Sequence, residues 1–170
     1  LVQGVEPTNM AKVARKENKV KTIQEFFTED VAKQIVEENG KAKVVSFTNV
    51  FAHMAPLGEV MRGVSRLLDK DGIFMSESQY LFDVFEGNQF DQIYHDHVRI
   101  YSLKSLVKLL EYYGMEVFEA QRLEGREGSI RIHAGWKGQH KVNPDVKKLL
   151  ALEVEAGLFK ESGWENFRKG

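Results

Sequence analysis

A short segment near the middle of the chain is rich in side chains that exchange protons or bind ligands. The segment QFDQIYHDHVRIYS, residues 89–102, contains Tyr94, His95, Asp96 and His97 in consecutive positions. Imidazole has an ordinary pKa of roughly 6.5, so one of these histidines can act as a general base near neutral pH. The two histidines would also share one face of an extended segment, where they can bind a metal ion. The residue types therefore leave acid–base catalysis and metal-dependent hydrolysis both open.

The composition is that of an ordinary folded domain. The chain has 170 residues, 42% of them hydrophobic and 29% charged, which is enough to form a core. The formal net charge of -1 offers no basic face, so we expect no nucleic-acid partner. The absence of cysteine excludes disulfides and thiolate metal sites within these residues. No apolar run has membrane-spanning length and no signal peptide is evident, so we expect a cytoplasmic protein without a membrane partner.

Hydrophobic periodicity predicts alternating strands and helices, and therefore a mostly parallel sheet with helices on both faces. Residues 1–7 are predicted as a short strand. TEDVAKQIVEENG is predicted as a helix that begins after Thr28 and ends at Gly40. KVVSFTNVF has a nearly continuous apolar run, which favours a central strand. The other predicted elements are a helix at TNMAKVARKEN, a strand at VKTIQEFF, a helix from Leu57 to Gly72, a strand at IFMSES, a helix at SLKSLVKLLEYYG capped by Ser102, strands MEVFEAQRL and SIRIHAGWK as a closing hairpin at the sheet edge, a helix at PDVKKLLALEVEAG and the start of another at GWENFRKG.

An acidic residue lies at the end of the first predicted strand. In doubly wound nucleotide-binding folds, a carboxylate at the end of a strand binds the ribose hydroxyls. Glu6, in GVEP, occupies such a position, although no glycine-rich turn precedes it. A carboxylate at the start of the following helix is also favoured by the helix dipole alone. Glu6 can therefore either bind a ribose or serve only to stabilise the start of the helix.

Four separated motifs resemble, in their order and spacing, the sugar C-methyltransferases that alkylate nucleotide-linked keto-sugars with S-adenosylmethionine. The motifs are GVEPTNMAKVA, TIQEFF, NVFAH and SESQYLFDVFEGNQFDQIYHDHVRIYSLKSL. The resemblance runs over nearly the whole chain. It implies a Rossmann-like α/β fold of the class I methyltransferases, with a mostly parallel sheet and an antiparallel closing strand.

The resemblance also implies a domain organisation. Residues 1–140 correspond to part of an S-adenosylmethionine-dependent methyltransferase domain, and residues 141–170 to the helical start of a C-terminal domain. The first strand and the glycine-rich cofactor loop of the family have no counterpart here, so we expect an N-terminally incomplete chain whose exposed sheet edge favours self-association. The alternative function is that of a catalytically inactive methyltransferase-like fragment, which serves as a binding or assembly module.

Methylation of a carbon beside a ketone needs a base, a stabilised enolate and an aligned methyl donor. The resemblance implies that His97 is the base. Tyr94 and Asp96 would support it, with Asp96 standing where the family usually has glutamate. His53 follows the strand KVVSFTNVF, just beyond the carboxyl ends of the strands, where such folds place their sites. It is a candidate for polarising the ketone.

The resemblance finally implies where the small molecules bind. The expected cofactor-binding residues are Glu6, Pro7, Phe26, Phe27, Asn49 and Val50, and the expected substrate-binding residues are Glu77, Tyr80 and Tyr94. The two adjacent phenylalanines are candidates for sandwiching adenine. We expect no bound metal, because His95 and His97 lack a clear third ligand. In REGSIR, Glu127 replaces a glycine of the family, which affects any close approach of the backbone to substrate.

Overall fold

The computed structural model describes residues 1–123, 128–165 and 167–169. The chain forms two compact units. The first unit comprises Leu1–Ala42 and Pro56–Leu67, and the second comprises Lys43–Ala55 and Leu68–Gly170.

The first unit contains a small parallel sheet and three helices. Strand β1 (Gln3–Val5) pairs with β2 (Lys21–Ile23), and α1 (Met10–Lys16) connects them. Helices α2 (Glu29–Asn39) and α3 (Leu57–Leu67) pack against each other. The predicted strand VKTIQEFF is therefore shorter than expected, because only three of its residues pair with β1.

The ends of α2 and α3 show which sequence signals were reliable. The hydroxyl of Thr28 accepts a hydrogen bond from the Val31 N–H, and the helix ends at Gly40 with φ +78°, as predicted. Helix α3 was expected to continue to Gly72 but ends at Leu67, because the next strand already begins at Leu68.

The second unit is built on a four-stranded sheet with the order β3-β4-β6-β5. Its strands are β3 (Ala42–Thr48), β4 (Leu68–Gln79), β5 (Met115–Leu123) and β6 (Ser129–Trp136). Strand β6 runs antiparallel to both neighbours, which agrees with the predicted antiparallel closing strand.

Two strand positions differ from the sequence prediction. The last strand, β6, lies inside the sheet, so β5 forms that edge of the sheet. Strand β3 was expected to be central because of its apolar run, but it is the other end strand of this sheet. Val44 on β3 is accordingly 62% exposed, while Val45 and Phe47 point into the core.

Three helices complete the second unit: α4 (Leu81–Glu86), α5 (Leu103–Tyr112) and α6 (Pro144–Glu155). Helices α5 and α6 both pack against β5, and the boundary of a separate domain at residue 140 stays a prediction. Short 3₁₀ helices cover Phe51–His53, Phe90–Gln92 and Glu161–Trp164. The last of these overlaps the predicted helix GWENFRKG only at Gly163 and Trp164. Among the described residues, no helix is long and apolar enough to span a membrane. The core residues with at most 1% exposure include Phe51, Phe74, Phe82, Leu106 and Ile132.

Candidate active site

The second unit brings together His53 and His97, whose ring centroids lie 5.0 Å apart. His53 ends the 3₁₀ helix that follows β3, and His97 lies between α4 and α5. Nδ1 of His53 lies 2.6 Å from the carbonyl oxygen of Asp96. A carbonyl only accepts hydrogen bonds, so this nitrogen of His53 carries the proton. The structure therefore brings these two predicted catalytic histidines together.

Arg99 joins the two backbone segments that carry these histidines. Its backbone N–H donates to the carbonyl of Ala52 at 3.3 Å. Its guanidinium donates to the carbonyl oxygens of Met54 at 2.7 Å and Ala55 at 2.8 Å. The planar fork of an arginine suits such paired acceptors, and it fixes the turn after His53 against the segment that contains His97.

The hydrogen bonds of His97 define its tautomer. Nδ1 lies 3.2 Å from the carbonyl oxygen of Gln92, and Nε2 lies 3.1 Å from the hydroxyl of Tyr94. Nδ1 must donate to the carbonyl, so in the neutral ring Nε2 carries a lone pair and accepts the Tyr94 O–H. Nε2 is therefore the basic atom of the half-buried His97.

A buried side-chain amide, that of Gln79, holds the residue that orients His97. Gln79, at the end of β4, is 8% exposed. Its Nε2 donates to Oε1 of Gln92 at 2.9 Å, and the backbone carbonyl of that same Gln92 holds His97. Sequence reasoning missed Gln79, Gln92 and Arg99. The available signal was a glutamine directly after a predicted strand, in SESQY, ten residues before the segment 89–102.

Asp96 contributes differently from what was predicted. Its carboxylate contacts Nε2 of His95 at 3.1 Å, and both side chains are exposed. Its backbone carbonyl, and not its carboxylate, orients His53. In the described part of the chain, no group of three or more histidine, cysteine or acidic side chains could hold a metal ion.

The predicted substrate residue Glu77 lies in the sheet beside an arginine. Glu77 on β4 is directly opposite Arg131 on β6. Nε and Nη2 of Arg131 donate to Oε2 of Glu77 at 2.8 and 2.6 Å. The backbone carbonyl of Glu77 accepts from the N–H of Asn49 at 2.9 Å. The ends of β3 and β4 therefore meet beside this ion pair.

Tyr80 does not have the predicted position at the substrate. Its side chain is 0% exposed. Its hydroxyl donates to Oε1 of Glu153 at 2.9 Å. Burial and the nearby Glu153 carboxylate raise the pKa of Tyr80 above its ordinary value. A side chain without exposed surface cannot contact a substrate, so Tyr80 is a core residue.

The cofactor residues predicted in the second unit follow β3 directly. Asn49 has φ +54°, a left-handed conformation that asparagine adopts more readily than most residues. It is exposed, and the neighbouring Val50 is 40% exposed. The chain thus turns sharply at the end of the strand and leaves both residues accessible.

The cofactor residues predicted in the first unit lie past the ends of two parallel strands. Glu6 follows β1, and Oε1 accepts a hydrogen bond from the Thr8 N–H at 2.8 Å. Hydrogen bonds from Thr8 hold the pKa of the Glu6 carboxyl below its ordinary value. Pro7 is exposed, and Phe26, after β2, is 76% exposed. The structure thus places an ionised carboxylate and an exposed aromatic ring past the carboxyl ends of two neighbouring parallel strands.

The two adjacent phenylalanines have different roles. Phe27 is 8% exposed, so it belongs to the core of the first unit. A Cβ atom at Gly63 of α3 would lie 2.9 Å from Cε1 of the Phe27 ring, which explains the glycine there. The predicted adenine sandwich by both rings is therefore wrong, because only Phe26 presents its side chain. Glu127 of REGSIR lies outside the described residues.

Comparison with known proteins gives a family match and a curated relative. A family model described as a methyltransferase domain matches residues 2–120. The C-methyltransferase NovU from Streptomyces niveus is 38% identical over 168 residues. The alignment covers 98% of this chain but 40% of NovU, so the chain spans about two fifths of that relative.

Solved structures are similar over most of the chain. An S-adenosylmethionine-dependent methyltransferase from Anabaena variabilis superposes with a TM-score of 0.60 at 14% identity, covering 80% of this chain and 68% of that one. Another from Thermotoga maritima gives a TM-score of 0.57 at 18% identity, covering 81% and 73%. These likenesses confirm the predicted class I methyltransferase fold.

Proposed function

We propose a reaction for this chain, which belongs to the methyltransferase domain family. Membership confirms the prediction of a methyltransferase domain. The similar structure from Anabaena variabilis is that of an S-adenosylmethionine-dependent methyltransferase, and we propose the same cofactor here. The reaction that we propose is C-methylation of a nucleotide-linked keto-sugar through a base-generated enolate. The observation that carries it is the lone pair of His97 Nε2, which is fixed by the hydrogen bond from Nδ1 to Gln92.

His97 is the proposed general base. The proton beside a ketone is only weakly acidic, so the base must lie in line with the C–H bond and have its lone pair available. The carbonyl of Gln92 keeps the proton on Nδ1 and thereby keeps Nε2 basic. S-adenosylmethionine, when bound, supplies an electrophilic methyl group on its sulfonium sulfur. In the first unit, Glu6 and Phe26 would hold its ribose and adenine. Asn49 and Val50 stay predicted cofactor residues of the second unit.

Tyr94 has two acceptors available during this reaction. In the structure, its hydroxyl donates to Nε2 of His97. Nε2 has one lone pair, so the Tyr94 hydroxyl must turn away from it before Nε2 can take the substrate proton. The phenol is then free to donate to the enolate oxygen, where negative charge has developed. We therefore assign enolate stabilisation to Tyr94.

His53 polarises the ketone only in its protonated form. Its Nδ1 proton is committed to the carbonyl of Asp96. Nε2 of the neutral ring then has no proton to donate, whereas the imidazolium has one on each nitrogen. Protonated His53 would direct its second N–H to the substrate oxygen beside Tyr94.

The substrate class rests on the motif resemblance and on the relative described as a C-methyltransferase. Glu77, which is 16% exposed through its side chain and paired with Arg131, stays a candidate for binding the sugar. A cytoplasmic location and self-association through an exposed sheet edge also stay predictions.

Solvent exchange tests the proposed base without requiring methyl transfer. The complete natural protein is incubated in deuterated water with nucleotide-linked keto-sugars, and deuterium at the carbon beside the ketone is followed by NMR. We expect exchange with the wild type, none with His97→Ala, and wild-type exchange with His95→Ala, whose side chain is 90% exposed. Exchange retained in His97→Ala would reassign the base. A wild type that neither exchanges protons nor binds S-adenosylmethionine would favour the inactive binding module.

A further inference from the structure

Glu153, on α6, is a fully buried acidic residue that accepts three hydrogen bonds. Its side chain is 0% exposed. Oε1 accepts from the Leu103 N–H at 2.5 Å and from the Tyr80 hydroxyl at 2.9 Å, and Oε2 accepts from the Lys104 N–H at 3.1 Å. Removal of a charge from water is unfavourable unless hydrogen bonds compensate it. The three donors provide that compensation.

Two of the donors come from the start of α5. The first N–H groups of a helix have no partner within the helix. Glu153 accepts from the first two, and the Ser102 hydroxyl accepts from the third, that of Ser105. A negative charge at this end is further stabilised by the helix dipole. The carboxylate of α6 therefore completes the N-terminal cap of α5.

The third donor lies at the opposite end of the segment that carries the proposed base. Segment 81–102 contains Tyr94 and His97, starts directly after Tyr80 and ends directly before Leu103. Its ends are joined by a parallel bridge between Tyr80 and Tyr101, with the Leu81 N–H donating to the Tyr101 carbonyl at 2.8 Å. Glu153 thus binds the residue that precedes the segment and the residue that follows it.

We propose that Glu153 is a positioning residue for His97. From α6, Glu153 clamps both ends of segment 81–102. The proposal rests on the proposed function of His97. When both ends of segment 81–102 are held, the residues between them can move less. Nδ1 of His97 therefore stays near the Gln92 carbonyl. Helix α6 thereby takes part in catalysis without touching the substrate.

The test replaces Glu153 by glutamine, which has the same size but no charge. The amide nitrogen cannot accept a hydrogen bond, so at least one of the three donors loses its partner. In nitrogen-15 imidazole spectra, we expect a single Nδ1–H tautomer of His97 in the wild type and a mixture of tautomers in Glu153→Gln. We also expect amide hydrogen exchange of residues 88–100 to be at least tenfold faster, and kcat to fall at least tenfold with KM for S-adenosylmethionine changed less than twofold.

Val146→Ala is the matched control, because Val146 is a buried residue of the same helix with 4% exposure. It weakens the packing of α6 but leaves the three contacts of Glu153 in place. We expect a lower melting temperature with unchanged His97 tautomer and unchanged exchange of residues 88–100. If Val146→Ala and Glu153→Gln change the tautomer equally, Glu153 merely holds α6 and the proposal is overturned.

Tyr80→Phe provides a milder variant if Glu153→Gln does not fold. It removes one clamp contact and should give a smaller change of the same kind, and no change of tautomer or exchange would overturn the proposal. These spectra are independent of the base assignment. Proton exchange at the sugar retained in His97→Ala would contradict the proposed function, while a tautomer change in Glu153→Gln would still support the clamp.

Discussion

The hydroxyl oxygen of Tyr94 lies 3.1 Å from Nε2 of His97, on the basic side of the imidazole. The opposite nitrogen lies 3.2 Å from the carbonyl oxygen of Gln92. The ring is therefore held by one donor and one acceptor. One hydrogen bond therefore joins the lone pair of this ring to the neighbouring phenol.

Replacement of Tyr94 by phenylalanine should slow proton exchange at the substrate carbon by about tenfold or more, because a hydrogen bond to a charged group contributes roughly 1.5–3 kcal/mol. The measurement is the initial rate of deuterium incorporation at saturating substrate. Tyr112→Phe is the control, because Tyr112 is 83% exposed on α5. Wild-type exchange in Tyr94→Phe would remove Tyr94 from the proposed mechanism.

Replacement of Gln79 by methionine should slow the same exchange about tenfold while the melting temperature changes little. Methionine fills a similar volume, and Oε1 of Gln79 has no partner among the described residues, so the main loss is the bond to Gln92. The rate and the nitrogen-15 spectrum of His97 are recorded together. A reduced rate with an unaltered His97 spectrum would show that Gln79 does not act through Gln92.

Replacement of each of the two adjacent phenylalanines should affect a different property, stability for Phe27 and cofactor affinity for Phe26. Phe27→Ala should lower the free energy of unfolding by about 3–5 kcal/mol, because it creates a cavity in the core. Phe26→Ala should change it by less than about 0.5 kcal/mol but weaken S-adenosylmethionine binding roughly fivefold to tenfold. Urea titration and calorimetry measure the two effects. Unchanged affinity in Phe26→Ala would exclude this ring from the adenine site.

Tyr101 should make the fold sensitive to alkaline pH. Burial raises the pKa of Tyr101 from 10.0 to about 12. The unfolded chain then loses this proton near pH 10 while the folded chain keeps it, so stability falls as the pH rises from 10 to about 12. The contribution is about 1.4 kcal/mol per pH unit. Tyr101→Phe should reduce the slope of unfolding free energy against pH by about that amount.

The exposed Tyr112 again supplies the control for this titration, since Tyr112→Phe should retain the wild-type slope. Tyr80 is also buried and contributes its own alkaline dependence. The slope of Tyr101→Phe is therefore expected to decrease without vanishing. An unchanged slope between pH 10 and 12 would show that Tyr101 ionises normally in the fold.

Local signals in the sequence predicted much of the fold. The side chains of Thr28 and Ser102 cap α2 and α5 as expected, because a cap depends on a few neighbouring residues. Strands β5 and β6 follow from their own residue patterns. Helix α4 was missed because six residues are too few to show a helical period. The early end of α3 was missed because β4 begins at Leu68, directly after the last residue of the helix.

The residues of the candidate site also differ in how far local sequence signals could predict them. Tyr94, His97 and His53 were named as candidates because they lie in recognisable motifs. Glu153 was not found, because its importance comes from contacts with residues 50 and 73 positions away in the sequence. Tyr80 was misplaced for the related reason that a tyrosine at a strand end carries no local sign of whether it is buried.

The contacts of Arg99 bear on how this site can be redesigned. Its guanidinium holds the main-chain oxygens of Met54 and Ala55, atoms that every amino acid possesses. The side chains at these two positions can therefore be varied in a library while the attachment beside His53 persists. Arg99→Lys would replace a two-pronged donor by one ammonium group and lose the attachment. Residues 54 and 55 are thus positions beside His53 at which side chains can be exchanged while these bonds persist, and Arg99 should be left unchanged.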